Sequence, residues 1–368
     1  MYLNTLSLLN FKNYSEISLS FCDEINCFTG NNGEGKTNLL DAIYYLSFCK
    51  SYFNSIDGQN IKHDDPFFVV QGDFVNETAT SNIYCGYKRA QKKVFKRNKK
   101  EYDRLADHIG LFPVVMISPY DTELINEGSV VRRKFIDTII SQFNKQYLDY
   151  LIQYNKILLQ RNNLLKNFWE KRYFDATSLE VWDEQMIPIA EYIYKERAVF
   201  IVDFLPIFYK FYSEISGNKE QASIQYFSDA SAGNFSDVLS SSLEKDKLRS
   251  YSNVGIHKDE LDFLINGVSI KKFGSQGQQK SFLIALKLAQ FDFIKNKKNV
   301  KPILLLDDIF DKIDENRVKY LMQLVSTHLF GQIFITDTDP NRINNIFKDI
   351  DVKVKSFEVE NGEVLLKY

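Results

Sequence analysis

Residues Gly30-Asn-Asn-Gly-Glu-Gly-Lys36-Thr37 spell G-x-x-x-x-G-K-[ST]. An apolar stretch, Ile25-Asn-Cys-Phe28, precedes the string, and a helical-looking run, Asn38-Leu-Leu-Asp-Ala-Ile43, follows it. Strand, glycine loop and helix in that order commit the chain to one local geometry. The glycines let the main chain curl tightly around an anion. The loop N–H groups and the positive end of the following helix then face that anion together. A nucleoside triphosphate fits this cradle. Lys36 is expected to reach its β and γ phosphates, and Thr37 to offer a hydroxyl to Mg²⁺. The expected nucleotide contacts are Gly30, Asn31, Asn32, Gly33, Glu34, Gly35, Lys36, Thr37 and Asn38.

A second cluster lies far along the chain. Ile303-Leu-Leu-Leu306 is a continuous apolar run ending in Asp307-Asp308, as expected of a parallel strand buried on both faces. Open α/β sheets place their ligands at such strand ends. Asp307 is expected in the magnesium shell, and Asp308 is expected to polarise the attacking water. Capping of a following helix is the competing use of such aspartates, and the glycine loop weighs against it. Between the two, Phe273-Gly-Ser-Gln-Gly-Gln-Gln279 opens a long helical pattern. A Ser-Gly turn at a helix start is another anion site, which makes Ser275, Gly277 and Gln278 candidate contacts. A plain capped helix start is the bland alternative.

Periodicity organises the rest. Short strands are expected over 2–29, a helix over 35–48 with its apolar stripe at Leu39, Leu40, Ile43 and Leu46, and antiparallel hairpins over 67–102. Val114–Ile117 reads as a buried strand. Helical periodicity runs from about 129 to 212. Residues 213–248, rich in Ser and Asp, read as a polar surface connection with one short strand near 224–226. A hairpin turning at Asn266-Gly267, helix 277–295, strand 302–306, helix 315–328 and strand 332–336 restore a parallel-sheet rhythm. A last hairpin turns at Asn361-Gly362.

Net charge is -2, so nucleic-acid binding requires a local patch rather than a whole-molecule field. The one dense basic run is Lys88-Arg89, Lys92-Lys93, Lys96-Arg97 and Lys99-Lys100, with Tyr87, Phe95 and Tyr102 interleaved. Lys92, Lys93, Lys96 and Arg97 are its candidate DNA contacts, against the plain alternative of a solvated hairpin. Arg132, Arg133 and Lys134 either share that surface or pair internally with Asp137 and Glu123. The four cysteines include no C-x-x-C pair and read as free thiols. No secretory pattern opens the chain, and the most apolar window, 199–212, is interrupted by Asp203, Pro206 and Lys210. A soluble, cytoplasmic protein is expected.

The order of glycine loop, Ser-Gly turn and double aspartate resembles the ABC-type ATPases. The segment from Thr37 to Ser275 is too short for the coiled-coil arms of SMC-type proteins. Several strings are similar to the RecF family: Leu9-Asn-Phe-Lys-Asn-Tyr14, Ile117-Ser-Pro-Tyr-Asp121, Val131-Arg-Arg-Lys-Phe-Ile-Asp137, Gln160–Lys166, Gly255-Ile-His-Lys-Asp-Glu260, Phe273–Gln279 and Leu304–Asp308. Ile256, Lys258 and Lys12 depart from the family's usual Pro and Arg at those places. Both lost arginines replace a bidentate fork by a point charge, and His257 reads as structural.

The resemblance implies an α/β fold: a P-loop ABC-type ATPase head with an antiparallel β subdomain and an inserted, mainly helical lobe. The head is expected over 1–125 and 215–368, and the lobe over 126–214. It also implies a slow ATPase with a composite site, Ser275 of one copy meeting the nucleotide of another in an ATP-dependent homodimer. Asp311–Asp314 would be the D-loop of that interface, and Thr336 or Thr338 the switch residue. The implied partners are gapped DNA or single-strand/double-strand junctions, RecR and RecO, with loading of RecA as the outcome. A nucleotide-gated scaffold with little DNA contact is the rival.

Overall fold

The computed structural model describes residues 1–77, 79–309, 315–326, 329–348 and 350–367. The expected D-loop, Asp311–Asp314, lies outside them.

The chain opens with strands β1 (Tyr2–Phe11), β2 (Tyr14–Ser20) and β3 (Ile25–Thr29), then helix α1 (Lys36–Phe48). Strands β4 (Phe67–Val75), β5 (Thr80–Lys88), β6 (Val94–Arg97), β7 (Lys100–Glu101) and β8 (Val114–Ile117) follow. Helices α2 (Glu123–Asn126), α3 (Ser129–Ser141), α4 (Lys145–Lys171) and α5 (Ala176–Ser216) lead to β9 (Ala222–Phe227). Two short helices, α6 (Phe235–Ser241) and α7 (Leu243–Arg249), precede β10 (Glu260–Ile265), β11 (Val268–Ser269) and α8 (Ile270–Phe273). The remainder is α9 (Gln276–Lys298), β12 (Ile303–Leu306), α10 (Glu315–Ser326), β13 (Ile333–Asp337), α11 (Pro340–Phe347), β14 (Val354–Glu360) and β15 (Glu363–Leu366).

Two compact units result: residues 1–121 with 287–368, and residues 122–286. This differs from the expected head and lobe in the place of 215–286, which the sequence puts with the head. That segment packs with the helices of the second unit. Its β9 and β10 form a three-stranded sheet with β11, and β9 also contacts α5.

The first unit holds two sheets. One is antiparallel, in the order β2-β1-β4-β5-β6-β7. The other runs β15-β14-β3-β13-β12-β8, parallel except for the β14–β15 pair. Helix α1 contacts strands of both. The sequence suggests an apolar stripe for α1, yet Tyr44, Tyr45 and Phe48 are buried along with Leu39, Leu40, Ile43 and Leu46. A helix covered by sheets on two sides has to be apolar nearly all round. The parallel strands β3, β8, β12 and β13 are buried at every position, so their carboxyl ends emerge from a rigid, dry layer.

In the second unit, α6 and α7 replace the expected polar connection. Phe235 and Leu239 bury one face of α6, and Asn234 caps it by accepting from the Ser236 N–H. Asp246 of α7 is buried against Arg161 of α4 at 2.7 Å, and Arg161 also holds Asp183 at 2.6 Å. A second buried arginine, Arg197 of α5, holds Asp137 and Asp259 at 2.9 and 2.6 Å. All four cysteines are free thiols. Among the described residues no helix is long and apolar enough to cross a membrane.

Candidate functional site

The glycine loop joins β3 to α1. Gly35 stands at the helix start with φ 115°, and no side chain caps the helix there. A side chain at Gly35 would need left-handed backbone, and its Cβ would collide with the Asn13 amide. Uncapped, the first turn of α1 leaves its N–H groups for an outside acceptor. The Lys36 ammonium bends back over the loop and donates to the Gly30 and Asn31 carbonyls at 2.8 and 2.9 Å. Asn31, Asn32 and Gly33 are exposed on the loop's outer rim. Asn38 is turned to Asn13, donating from Nδ2 to Oδ1 at 2.8 Å.

The end of β12 comes to the same place. Thr37 Oγ1 donates to Asp307 Oδ1 at 2.8 Å. Thr336, at the end of the neighbouring β13, donates to that same oxygen at 3.0 Å, and Ser118, just after β8, donates to Oδ2 at 3.3 Å. Burial pushes the Asp307 carboxyl above its ordinary value; the hydroxyls of Thr37, Thr336 and Ser118 pull it back, while the charge of Asp308 adds to the rise. Asp308 has φ 43°, its N–H donates to Thr336 Oγ1 at 2.9 Å, and its Oδ1 is buried with no hydrogen-bond partner.

This donor set fits a magnesium ion. The Asp307 carboxylate, raised by burial, accepts from the threonine hydroxyl of the loop, and the next residue, Asp308, carries an orphaned oxygen. Hard oxygen donors of that kind, completed by water and phosphate, are what Mg²⁺ takes. Thr37 and Asp307 are the residues that could hold it. Ser118 and the direct role of Thr336 exceed the sequence reading. Thr336 enters there only as a switch equivalent, and Ser118 only inside a matching string.

Ser275 lies in the second unit. Its hydroxyl accepts from the Gln278 N–H at 3.2 Å, and Gln278 Oε1 accepts from the Ser275 N–H at 2.7 Å. This reciprocal pair is a capping box at the start of α9. Gln278 Nε2 also donates to Glu220 at 2.7 Å. Ser275 and Gln276 are exposed, Gly277 is half-buried, and the nearby Phe273 side chain is 71% exposed.

The basic hairpin divides. Lys92 is exposed, Lys96 lies over the Tyr84 ring, and Arg97 donates to Ser81 at 3.1 Å. Lys93 differs from expectation: its ammonium holds Asp57 at 2.8 Å and the Cys49 carbonyl at 2.6 Å, above the Tyr45 ring. It anchors the hairpin and leaves the candidate DNA set. Arg132 and Arg133 donate to the carbonyls of Glu127 and Asp259, at 2.9 and 2.5 Å. Lys12 pairs with the buried Asp41 at 2.6 Å. His257 is structural in geometry: Nε2 faces the Ser252 carbonyl at 3.2 Å, and Nδ1 accepts from the Tyr154 hydroxyl at 2.8 Å.

The model of the RecF/RecN/SMC N terminal domain matches residues 2–363. The DNA replication and repair protein RecF of Phocaeicola vulgatus is 52% identical over 366 residues, covering 99% of this chain and 98% of that protein. The RecF protein of Flavobacterium johnsoniae is 49% identical, covering 98% and 100%. A solved structure described as the recombination mediator protein RecF-ATP in the RecFOR pathway superposes with TM-score 0.91 at 32% identity, covering 100% of this chain and 98% of that one. The Smc head domain from Pyrococcus furiosus, at 17% identity and TM-score 0.57, shares the fold. With its glycine loop, double aspartate and Ser-Gly turn in place, the chain belongs to the RecF family.

Proposed function

We propose that this chain is an ATP-dependent DNA-binding protein of recombinational repair and replication restart, acting as a slow ATPase. The observation that carries the ATPase reading is the meeting of the Thr37 and Thr336 hydroxyls on Asp307 Oδ1 beside the glycine loop, with the Asp308 N–H tied to Thr336. The loop backbone and Lys36 bind the phosphates, and Thr37 with Asp307 holds Mg²⁺. When bound, the ion neutralises phosphate charge and polarises the β–γ bridge. Asp308, fixed by its N–H on Thr336, carries the unpartnered carboxylate oxygen that orients the attacking water and accepts its proton.

ATP closes two copies on DNA, with Ser275, Gly277 and Gln278 of one copy completing the phosphate shell of the other. The capping box supports this: it presents an exposed hydroxyl at a helix start, where an anion is favoured. Gapped DNA or single-strand/double-strand junctions are the substrate class, and RecR and RecO the partners in loading RecA. The relatives' names, DNA replication and repair protein and recombination mediator in the RecFOR pathway, support the repair part of this reading. Lys92, Lys96 and Arg97 remain the proposed DNA contacts.

Analytical ultracentrifugation of the parent and Ser275→Arg proteins, with and without ATP and gapped DNA, tests the reading. The parent should form an ATP-dependent dimer that sediments with DNA, and Ser275→Arg should stay monomeric while still binding ATP. A parent that stays monomeric with ATP at micromolar concentration refutes the composite site.

A further inference from the structure

Within the first unit, two neighbouring hairpin turns both hold the glycine loop at Glu34. The first hold is Asn13, in the turn between β1 and β2. Its Nδ2 donates to the Glu34 carbonyl at 2.8 Å, and its Oδ1 accepts from Asn38 Nδ2 at 2.8 Å. One amide thus spans the loop and the first turn of α1. The next residue, Tyr14, is fully buried and donates its hydroxyl to the Gly35 carbonyl at 3.0 Å.

The second hold comes from the turn between β14 and β15. The Asn361 N–H donates to the Glu34 carboxylate. Gly362 approaches the β1–β2 turn so closely that a Cβ on it would lie 3.1 Å from the Asn13 carbonyl oxygen. Behind both, β14 runs parallel to β3 with Glu358 opposite Thr29, which brings this hairpin to the loop's entrance.

A loop containing Gly30, Gly33 and Gly35 is costly to order, because glycine loses more backbone freedom than any other residue. Its N–H groups bind phosphate tightly only if their convergence is set beforehand. We propose that Asn13 is a positioning residue for the nucleotide, acting through Glu34 and Asn38, and that the Asn361-Gly362 turn is its support. The inference rests on the ATP reading of this site. Neither turn supplies a group to the reaction, so the clamp governs affinity and leaves the chemical step alone.

Titration calorimetry with ATP, steady-state hydrolysis and nucleotide-free melting of the parent, Asn13→Ala, Asn13→Asp and Gly362→Ala proteins test this. Asn13→Ala removes the part-buried bonds to Glu34 and Asn38 and should raise the Kd and KM for ATP about tenfold, with kcat within about twofold. Asn13→Asp should weaken binding at least as much, because it sets a carboxylate against the Glu34 carbonyl. Gly362→Ala should weaken binding from a position that touches no nucleotide. ATP affinity within twofold of the parent for Asn13→Ala and Gly362→Ala, whatever happens to the melting temperature, overturns the clamp. So does a fall in kcat at unchanged KM. Should Asn13→Ala not fold, the ATP affinity of Gly362→Ala alone decides between these outcomes. A parent that binds no ATP refutes the nucleotide reading itself.

Discussion

Thr37 Oγ1 donates to Asp307 Oδ1 at 2.8 Å across a sequence separation of 270 residues. This bond joins the first turn of α1 to the end of β12, and the hydroxyl of Thr336 shares the same acceptor oxygen. The proposed magnesium site thereby draws on two strand ends and a helix start.

Thr336→Val tests how far that assembly depends on one hydroxyl. Valine keeps the shape but removes both the donor to Asp307 and the acceptor for the Asp308 N–H. Single-turnover hydrolysis should slow by roughly 10- to 100-fold, with ATP affinity little changed, since orientation at the reacting centre is worth a few kcal/mol. Asp308→Ala should slow it further. An Asp308→Ala protein that matches the parent in single turnover removes Asp308 from the mechanism.

The two kinds of lysine in the basic hairpin are separable. Lys93→Met breaks a largely buried pair with Asp57 and should destabilise the protein by about 3 kcal/mol, read by urea unfolding. It should leave the salt dependence of DNA binding unchanged. Lys92→Glu and Lys96→Glu should leave stability nearly unaltered and reduce the slope of log affinity against log salt by about one per lost phosphate contact. If Lys93→Met flattens that slope while the other two do not, the assignment is reversed.

Acid should loosen the fold through two histidines. Burial lowers both His108 and His257 from 6.5 to about 4. Both are neutral in the folded chain, whereas the unfolded chain takes up a proton on each below about pH 6.5. The unfolded state binds more protons between pH 6.5 and 4, so stability falls as pH drops through that window. Each histidine should contribute a loss of about 2 kcal/mol at pH 5. His257→Gln should flatten the decline in urea midpoint between pH 7 and 5. A slope identical to the parent's would show that His257 titrates normally.

The arginine pairs of the second unit are expected to be intolerant of single removal. Asp246→Ala leaves Arg161 buried with one fewer counter-charge, and Asp246 also accepts from the Asn253 N–H at 2.8 Å. A loss of about 3–5 kcal/mol is expected, seen as early unfolding in urea. The nucleotide loop lies in the other unit, so the ATP Kd of the still-folded protein should be unchanged.

Much of this is legible in the residues. The glycine loop, the apolar run into Asp307-Asp308 and the helix opening at Ser275 each announce themselves over fewer than a dozen positions, because their chemistry is local. Ser275 and Gln278 even carry the S-x-x-Q spacing of the capping box they form. The polar run 213–248 misleads for a related reason. Its two helices are so short that one buried pair, Phe235 and Leu239, is the whole apolar face of α6, too little for periodicity to register.

The sequence by itself determined the parts of the site: a loop able to curl around phosphate, a strand ending in two carboxylates, and a helix start able to face an anion. Only the tertiary structure decided which distant side chains serve them. Asn13, Ser118 and Thr336 reach the site from a hairpin turn and two strand ends, and Lys93 turns inward to Asp57. Side-chain partnership across a sheet depends on strand order and register. Those are set by burial of the whole layer, and no local string encodes them.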